Sequence, residues 1–421
     1  MTISQITRSL ALAALSAVVA VPASAASPEQ VLKGKNVIMY ISSGAGGTND
    51  TFARLIADHL ARHLPGKPNI LPKNLPGAGG LKATKYLYSQ VPRDGTVMGV
   101  VQRSVAAQPL LGIKGADFNP LEFNWIGSTK SEVSAAVVWN VKHINTIQDA
   151  MKQEVLVGSS GVGNDTGAFP RVVNYFLGTK LRPIHGYISG TDIILAMERG
   201  EVQARFGWSW GSVKSREPKR LKDGTIKVLL QMGIKKAPDL DAPLVLDLAK
   251  NEKDRKAMEV IFSQVTIGWP SLLPPQVPAD MVKAYRDAYK ATMVDKKFMK
   301  GVKKRRLELD PISGEEIQAI IANTYAASPD VIELARRAYS PSGKIEMAKM
   351  LEVMGAISKI NKKGSKLTLS VDGKKVKARV AGRTKITIAG KKSKRKALKA
   401  GMTCSITLVA SGAVAQKMTC N

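Results

Sequence analysis

From about Lys35 to Ser340 the sequence alternates short apolar runs with segments of helical periodicity, and few folds accommodate that rhythm. "NVIMYIS", "TVMGVVQ", "SAAVVW", "EVLVGSS" and "IKVLLQM" read as strands. Between them, Phe52, Leu55, Ile56 and Leu60 share one helical face, and Phe169, Val172, Val173, Phe176 and Leu177 share another. Strand–helix alternation at this spacing predicts parallel sheets flanked by helices. A chain of 421 residues has room for two such lobes. The region ends in "PADMVKAYRDAYKATMVDKKFMKGVKK" and "SGEEIQAIIANTYAAS", both with apolar stripes and capping candidates. The predicted division is lobe 1 over 26–135 and 265–340, and lobe 2 over 136–264.

Beyond Ser340 the character changes. Lys344 to Lys359 has a basic amphipathic pattern, which predicts a linker helix within 341–360. In 361–421, "KLTLSVDGKKVKARV" alternates on both sides of Asp372-Gly373, a strong hairpin signal. Together with "TKITIAG" and a last pair of runs it predicts five short strands, a small all-β unit of OB-like or SH3-like size. Cys404 and Cys420, the only cysteines, flank Ser411-Gly412 symmetrically. A hairpin folded there sets them opposite one another, and a disulfide is expected.

The N-terminus supplies the compartment. Arg8, the apolar run Leu10–Val21 and the small residues Ala23-Ser24-Ala25 read as an export signal over 1–25, cleaved near Ala25. The disulfide fits export to an oxidising location. Net charge is +30, and Lys344–Asn421 holds 19 Lys and Arg against 3 Asp and Glu. Nucleic acid is not the expected partner, because the chain is exported and no aromatic residues interleave the lysines for base stacking. A solvated basic face, or attraction to an anionic membrane or envelope surface, accounts for the charge.

Three glycine loops precede helical patterns: "SSGAGGTND", "NLPGAGGLK" and "GSSGVGNDTG". Glycine admits a ligand close to the backbone, and the helix start behind it offers free N–H groups and a positive dipole end, which suits an anion. Nucleotide motifs fail. No loop carries the P-loop lysine, and Asn49 stands where a third dinucleotide glycine belongs. A nucleophile elbow fails as well, since Val162 takes the place of its glycine after Ser160. His59, His63, His143 and His185 show neither metal spacing nor a triad arrangement. No enzyme, no metal and no cofactor is expected.

"GAGGTNDTFARLIADHLARHL" followed by "ILPKNLPGAGGLKATKYLYSQVPRDGTVMGVV" resembles the substrate-binding (Bug-type) receptors of tripartite tricarboxylate transporters. "SSGVGND", "IHGYISGTDIILAMERGEVQ" and "LPPQVPADMVKAYRDAYKATMVDKKFM" follow in the order of that family, so the likeness covers about 35–340. It implies an α/β, two-lobed periplasmic binding protein of type II-like form that closes on a small organic acid and presents it to membrane permease subunits. Carried over by position, the ligand candidates are Ser43, Gly44, Ala45, Gly46, Gly47, Thr48 and Asp50, with Ala78 and Gly79 from the second loop. Across the cleft stand Gly161, Val162, Gly163, Asn164, Asp165 and Thr166, with Tyr187 at the border.

Two departures bear on specificity. Asp165 sits where a carboxylate ligand would be repelled unless it caps the helix behind it. "RFGWSWGSVK" brings Trp208 and Trp210, which either wall the pocket or pack in the core. Asp50 likewise serves as a first-turn cap or as a ligand contact. The competing reading is an envelope adaptor or sensor that keeps the receptor fold and acts through its basic β unit.

Overall fold

A computed structural model describes residues 26–45, 48–140, 143–187, 189–305, 307–341, 345–381, 384–408 and 411–421. The expected export signal, and Gly46 and Gly47, lie outside these residues.

The chain builds two α/β lobes and an all-β unit. The first sheet has six strands in the order Ile312–Ser313, Asn124–Ser128, Pro270–Leu273, Val97–Val100, Asn36–Ile41 and Asn69–Asn74. The second runs Glu346–Met347, Leu181–His185, Val155–Ser159, Ala204–Ser209, Ser134–Trp139 and Ile226–Met232. Both sheets are mixed rather than parallel throughout. Pro270–Leu273 and Ser134–Trp139, the strands nearest the crossings between lobes, run antiparallel to their neighbours. A chain that re-enters a sheet from the other lobe arrives without the crossover helix that parallel pairing needs. Two crossings are the short segments 129–133 and 267–269, and a third, 326–328, leads into the last helix of this region.

Both expected helical faces are buried. Phe52, Leu55, Ile56 and Leu60 of Thr48–Leu60 enter the first lobe's core. Phe169, Val172, Val173, Phe176 and Leu177 of Asp165–Leu177 enter the second's. The long predicted helix is two, Ala279–Met293 and Lys296–Lys304, because the Asp295 side chain accepts from the Phe298 N–H and caps a new start. Gly314–Tyr325 opens with the Ser313/Glu316 capping box. The segment 265–340 does not stay in lobe 1. Its last helix, Pro329–Tyr339, places Val331, Ala335 and Tyr339 in the core of lobe 2.

The predicted linker helix over 341–360 is replaced by strands. Glu346–Met347 adds to the edge of the second sheet, and Leu351–Ile360 is an interior strand of the β unit, laddered on both sides. Its apolar residues satisfy helical spacing and strand alternation alike, a known ambiguity of short apolar runs. Pairing settles the matter, and Gly355 lets Ser370 approach so closely that an added Cβ would lie 2.1 Å from its carbonyl oxygen.

The β unit is a seven-stranded sheet. Asp372 and Gly373 both have positive φ, 47° and 74°, as a type I′ turn requires, and Val371 pairs with Lys374 across them. Cys404 faces Cys420 in register, and the two are disulfide-bonded. The unit does not hang free. The Val414 N–H donates to fully buried Asp192 of lobe 2 at 3.2 Å, and Gln416 Nε2 donates to the Gly186 carbonyl at 3.2 Å. One hydrophobic core runs from Ile193 and Trp208 of lobe 2 into Leu408 and Ala413 of the β unit. No described helix is long and apolar enough to cross a membrane.

Candidate functional site

All three glycine loops reach a single cleft of about 850 Å³ between the lobes. It lies beyond the carboxyl ends of Asn36–Ile41 and Val155–Ser159, where open α/β sheets bind ligands. The first loop brings Ser43, Gly44 and Ala45 to the lining, and Thr48 opens the helix behind it. Asn74 pins this loop, donating from Nδ2 to the Ser43 carbonyl at 2.9 Å. Asp50 is turned away from the cleft into that support. It accepts from Asn74 at 2.8 Å and from Arg54 Nε at 3.0 Å, side-chain bonds that brace the loop, and it does not line the cleft. From the second loop Gly79 lines the cleft whereas Ala78 does not. Gly77, Ala78, Gly79 and Gly80 all have positive φ, which explains the run of glycines.

In the third loop, Asn164, Asp165 and Thr166 face the cleft. The Thr166 hydroxyl is used within the loop, accepting from the Ser160 N–H at 3.0 Å and donating to Asn164 Oδ1 at 2.6 Å. Gly161, Val162 and Gly163 do not line the cleft. Arg171 holds the Val162 carbonyl at 2.9 Å and Tyr339 the Gly163 carbonyl at 3.2 Å, drawing this segment to the rear of lobe 2. Tyr187 is buried in the second lobe's core, and its desolvated phenol is pushed up to about 12. Trp208 lines the cleft; Trp210 does not, and its Nε1 donates to Asp239 at 2.9 Å.

The residues that organise the charge are ones the sequence reading passed over. Arg103, just beyond the strand Val97–Val100, is buried and joins the lobes. Its Nε donates to Asp165 at 2.9 Å, its Nη1 to Glu132 at 2.8 Å and its Nη2 to Ser134 at 2.9 Å. Burial opposes the guanidinium charge, but Asp165 and Glu132 outweigh it and hold the pKa above its ordinary value. Asp165 is therefore compensated, and its expected repulsion of a carboxylate is cancelled. Gly207 makes the junction possible. Its φ is +68°, and a Cβ there would lie 2.6 Å from the Asp165 Cβ.

Arg205 is the unmatched charge. It lines the cleft with its guanidinium 4.3 Å over the Trp208 ring, and it makes no ion pair within 4 Å among the described residues. Desolvation, then Arg216, push its pKa down to about 9 against the opposing pull of Glu217, so it remains charged at neutral pH. Gly190 leaves room for it, since a Cβ would lie 2.3 Å from Arg205 Nη2. Asn49 and Trp269 complete the arrangement. Asn49 is 3% exposed and lines the cleft, and neither its amide nitrogen nor its oxygen has a partner among the described residues. Trp269 Nε1 is also buried and has no partner among the described residues. Buried polar groups are rarely left unbonded, and those that are call for a ligand or water. Among the described residues no group of side chains could hold a metal ion.

No protein-family model matches the chain, and no curated protein does. Solved structures do. The TctC solute-binding protein from Polaromonas is 18% identical, spans 72% of this chain and 98% of its own, and superposes with a TM-score of 0.54. The periplasmic binding protein BugD is 19% identical over 74% and 99%, with a TM-score of 0.54. MatC from Rhodopseudomonas palustris, solved with malate, is 16% identical over 72% and 99%, with a TM-score of 0.51.

The chain has the fold of the tripartite tricarboxylate receptors.

On this receptor fold, Arg205 and Asn49 each carried a readable signal. Arg205 opens "RFGWSW", a cation directly beside the two tryptophans, and Asn49 is a polar residue where a dinucleotide loop has glycine. The neighbours fit almost whole onto less than three quarters of this chain, so about a quarter of it is additional to the receptor fold.

Proposed function

We propose that the protein is a periplasmic solute-binding receptor that captures an organic carboxylate in the inter-lobe cleft and presents it to the membrane permease of a tripartite-type transporter. The observation that carries this reading is the unpaired Arg205 guanidinium in the same cleft as the unpartnered, buried amide of Asn49. Loop amides of Ser43–Ala45 and the start of Thr48–Leu60 add N–H donors, and Trp208 supplies an apolar wall. Two proteins of this fold were solved with organic acids, malate in one and adipate in the other. Lobe closure on the bound acid then distinguishes loaded from empty receptor for the permease.

Thermal-shift screening of the mature protein against mono-, di- and tricarboxylates tests the reading. A bound acid at 100 times its Kd adds about 2.7 kcal/mol of stability. Arg205→Gln is expected to abolish most of the response. Equal responses in both proteins, or none to any acid, would refute the assignment.

A further inference from the structure

The cleft is not made by the two lobes alone. Lys366, Arg379 and Arg395, all from the β unit, line the same cavity as Arg205 and Asn49. The β unit is held there by the edge pairing of Glu346–Met347, by the buried Val414–Asp192 hydrogen bond and by a shared hydrophobic core, so it extends the jaw of lobe 2. Its placement is thus part of the folded body.

The charges along this wall can be paired off. Arg103 is satisfied by Asp165 and Glu132, and Arg220 by Glu198 at 3.2 Å and Glu217 at 3.0 Å. Arg216, the other cation of the lobe wall, is engaged as well. Arg205 within the cleft and Lys366, Arg379 and Arg395 on the β unit make no ion pair within 4 Å among the described residues. Unpaired cations therefore belong to both the lobe wall and the β-unit wall of one cavity. A volume of about 850 Å³ lies near the top of the roughly 300–1,000 Å³ range of ligand pockets, which leaves room for more than one acidic group and the chain between them.

We infer that the β unit forms an outer wall of the ligand cleft, and that Lys366, Arg379 and Arg395 receive a second acidic group of the solute. The ligand class is then an elongated di- or polycarboxylate gripped at both ends. This rests on the proposed receptor function and adds to it the β-unit residues that read the far end of the solute.

The test uses the mature full chain and a series of α,ω-dicarboxylates from adipate to azelate, each paired with its monomethyl ester. Ester and diacid share length and apolar character but differ by one charge. Calorimetric titration is expected to show at least one diacid binding about tenfold or more tighter than its half-ester, the scale of one charge-assisted hydrogen bond. In Lys366→Gln/Arg379→Gln/Arg395→Gln that ratio is expected to fall to about one. The three side chains are exposed, and an unchanged melting temperature confirms that the variant folds. A ratio that persists in the triple variant overturns the inference. So does a variant whose only defect is weaker binding to anionic-lipid vesicles, which would make the β unit a membrane contact. If the wild type binds carboxylates through Arg205 but never prefers the diacid, the receptor reading stands and this inference falls. If it binds none, both fall.

Discussion

Arg103→Gln attacks the junction between the lobes. Arg103 is 4% exposed, its partner Glu132 is 6% exposed, and the Asp165 side chain is 17% exposed. The substitution leaves two carboxylates facing a neutral amide. Glu132 keeps one bond, from the Ser209 hydroxyl at 2.6 Å, while Asp165 loses both of its bonds from the guanidinium. Orphaning a buried charge costs about 3–5 kcal/mol, and partial solvation of Asp165 favours the lower end. At roughly 2–4 °C per kcal/mol for domains of this size, the melting temperature should drop by about 6–12 °C. Calorimetric unfolding in the absence of ligand reads this directly. Arg103→Gln/Asp165→Asn should recover part of the loss, about 1–2 kcal/mol, because one of the stranded charges is gone. A single variant within 2 °C of wild type, or a double variant that is worse than the single by the full Asp165→Asn effect, would refute the claim that this network ties the lobes.

Three further outcomes follow from the same geometry. Gly207→Ala forces a side chain into positive φ against Asp165 and should cost on the order of 1–3 kcal/mol, together with ligand response, in thermal-shift assays. Cys404→Ser/Cys420→Ser opens a loop with a sequence separation of 16 and should destabilise the β unit by about 3 kcal/mol, seen as a new early unfolding transition. His185, whose Nδ1 lies 2.9 Å from Ser159 Oγ, is held below its ordinary pKa by burial and then by Arg171. The unfolded chain therefore binds more protons below its ordinary pKa of about 6.5, so stability falls as the pH drops through that value. His185→Asn should flatten this part of the melting-temperature profile.

How much of this was legible in the sequence depended on how local each signal was. The amphipathic faces of Thr48–Leu60 and Asp165–Leu177, the Asp372-Gly373 turn and the opposed cysteines are set by neighbours in sequence, and they appear as read. Strands such as Leu181–His185 and Pro270–Leu273 were missed, because proline and charge break their alternation and only the sheet holds them. The segment 341–360 failed for the same reason: long-range pairing overrode a helical pattern. At the site, the loops announced themselves through glycine. Which of their atoms stay free depended on partners far away in the chain. Asn74 claims Asp50, Tyr339 claims Gly163, and Arg103 reaches 62 residues to Asp165. Arg205 matters because it makes no ion pair within 4 Å among the described residues, Glu217 acting on it only without such contact, and a missing partner leaves no mark in a sequence.

The most direct test of the anion-binding cleft is native mass measurement of the mature protein purified without denaturation. Wild type is expected to carry a small acidic molecule that is released on unfolding, and Arg205→Gln/Asn49→Ala, purified in parallel, is expected to carry none. An adduct of equal occupancy in both proteins, or a bound molecule without an acidic group, would contradict the account.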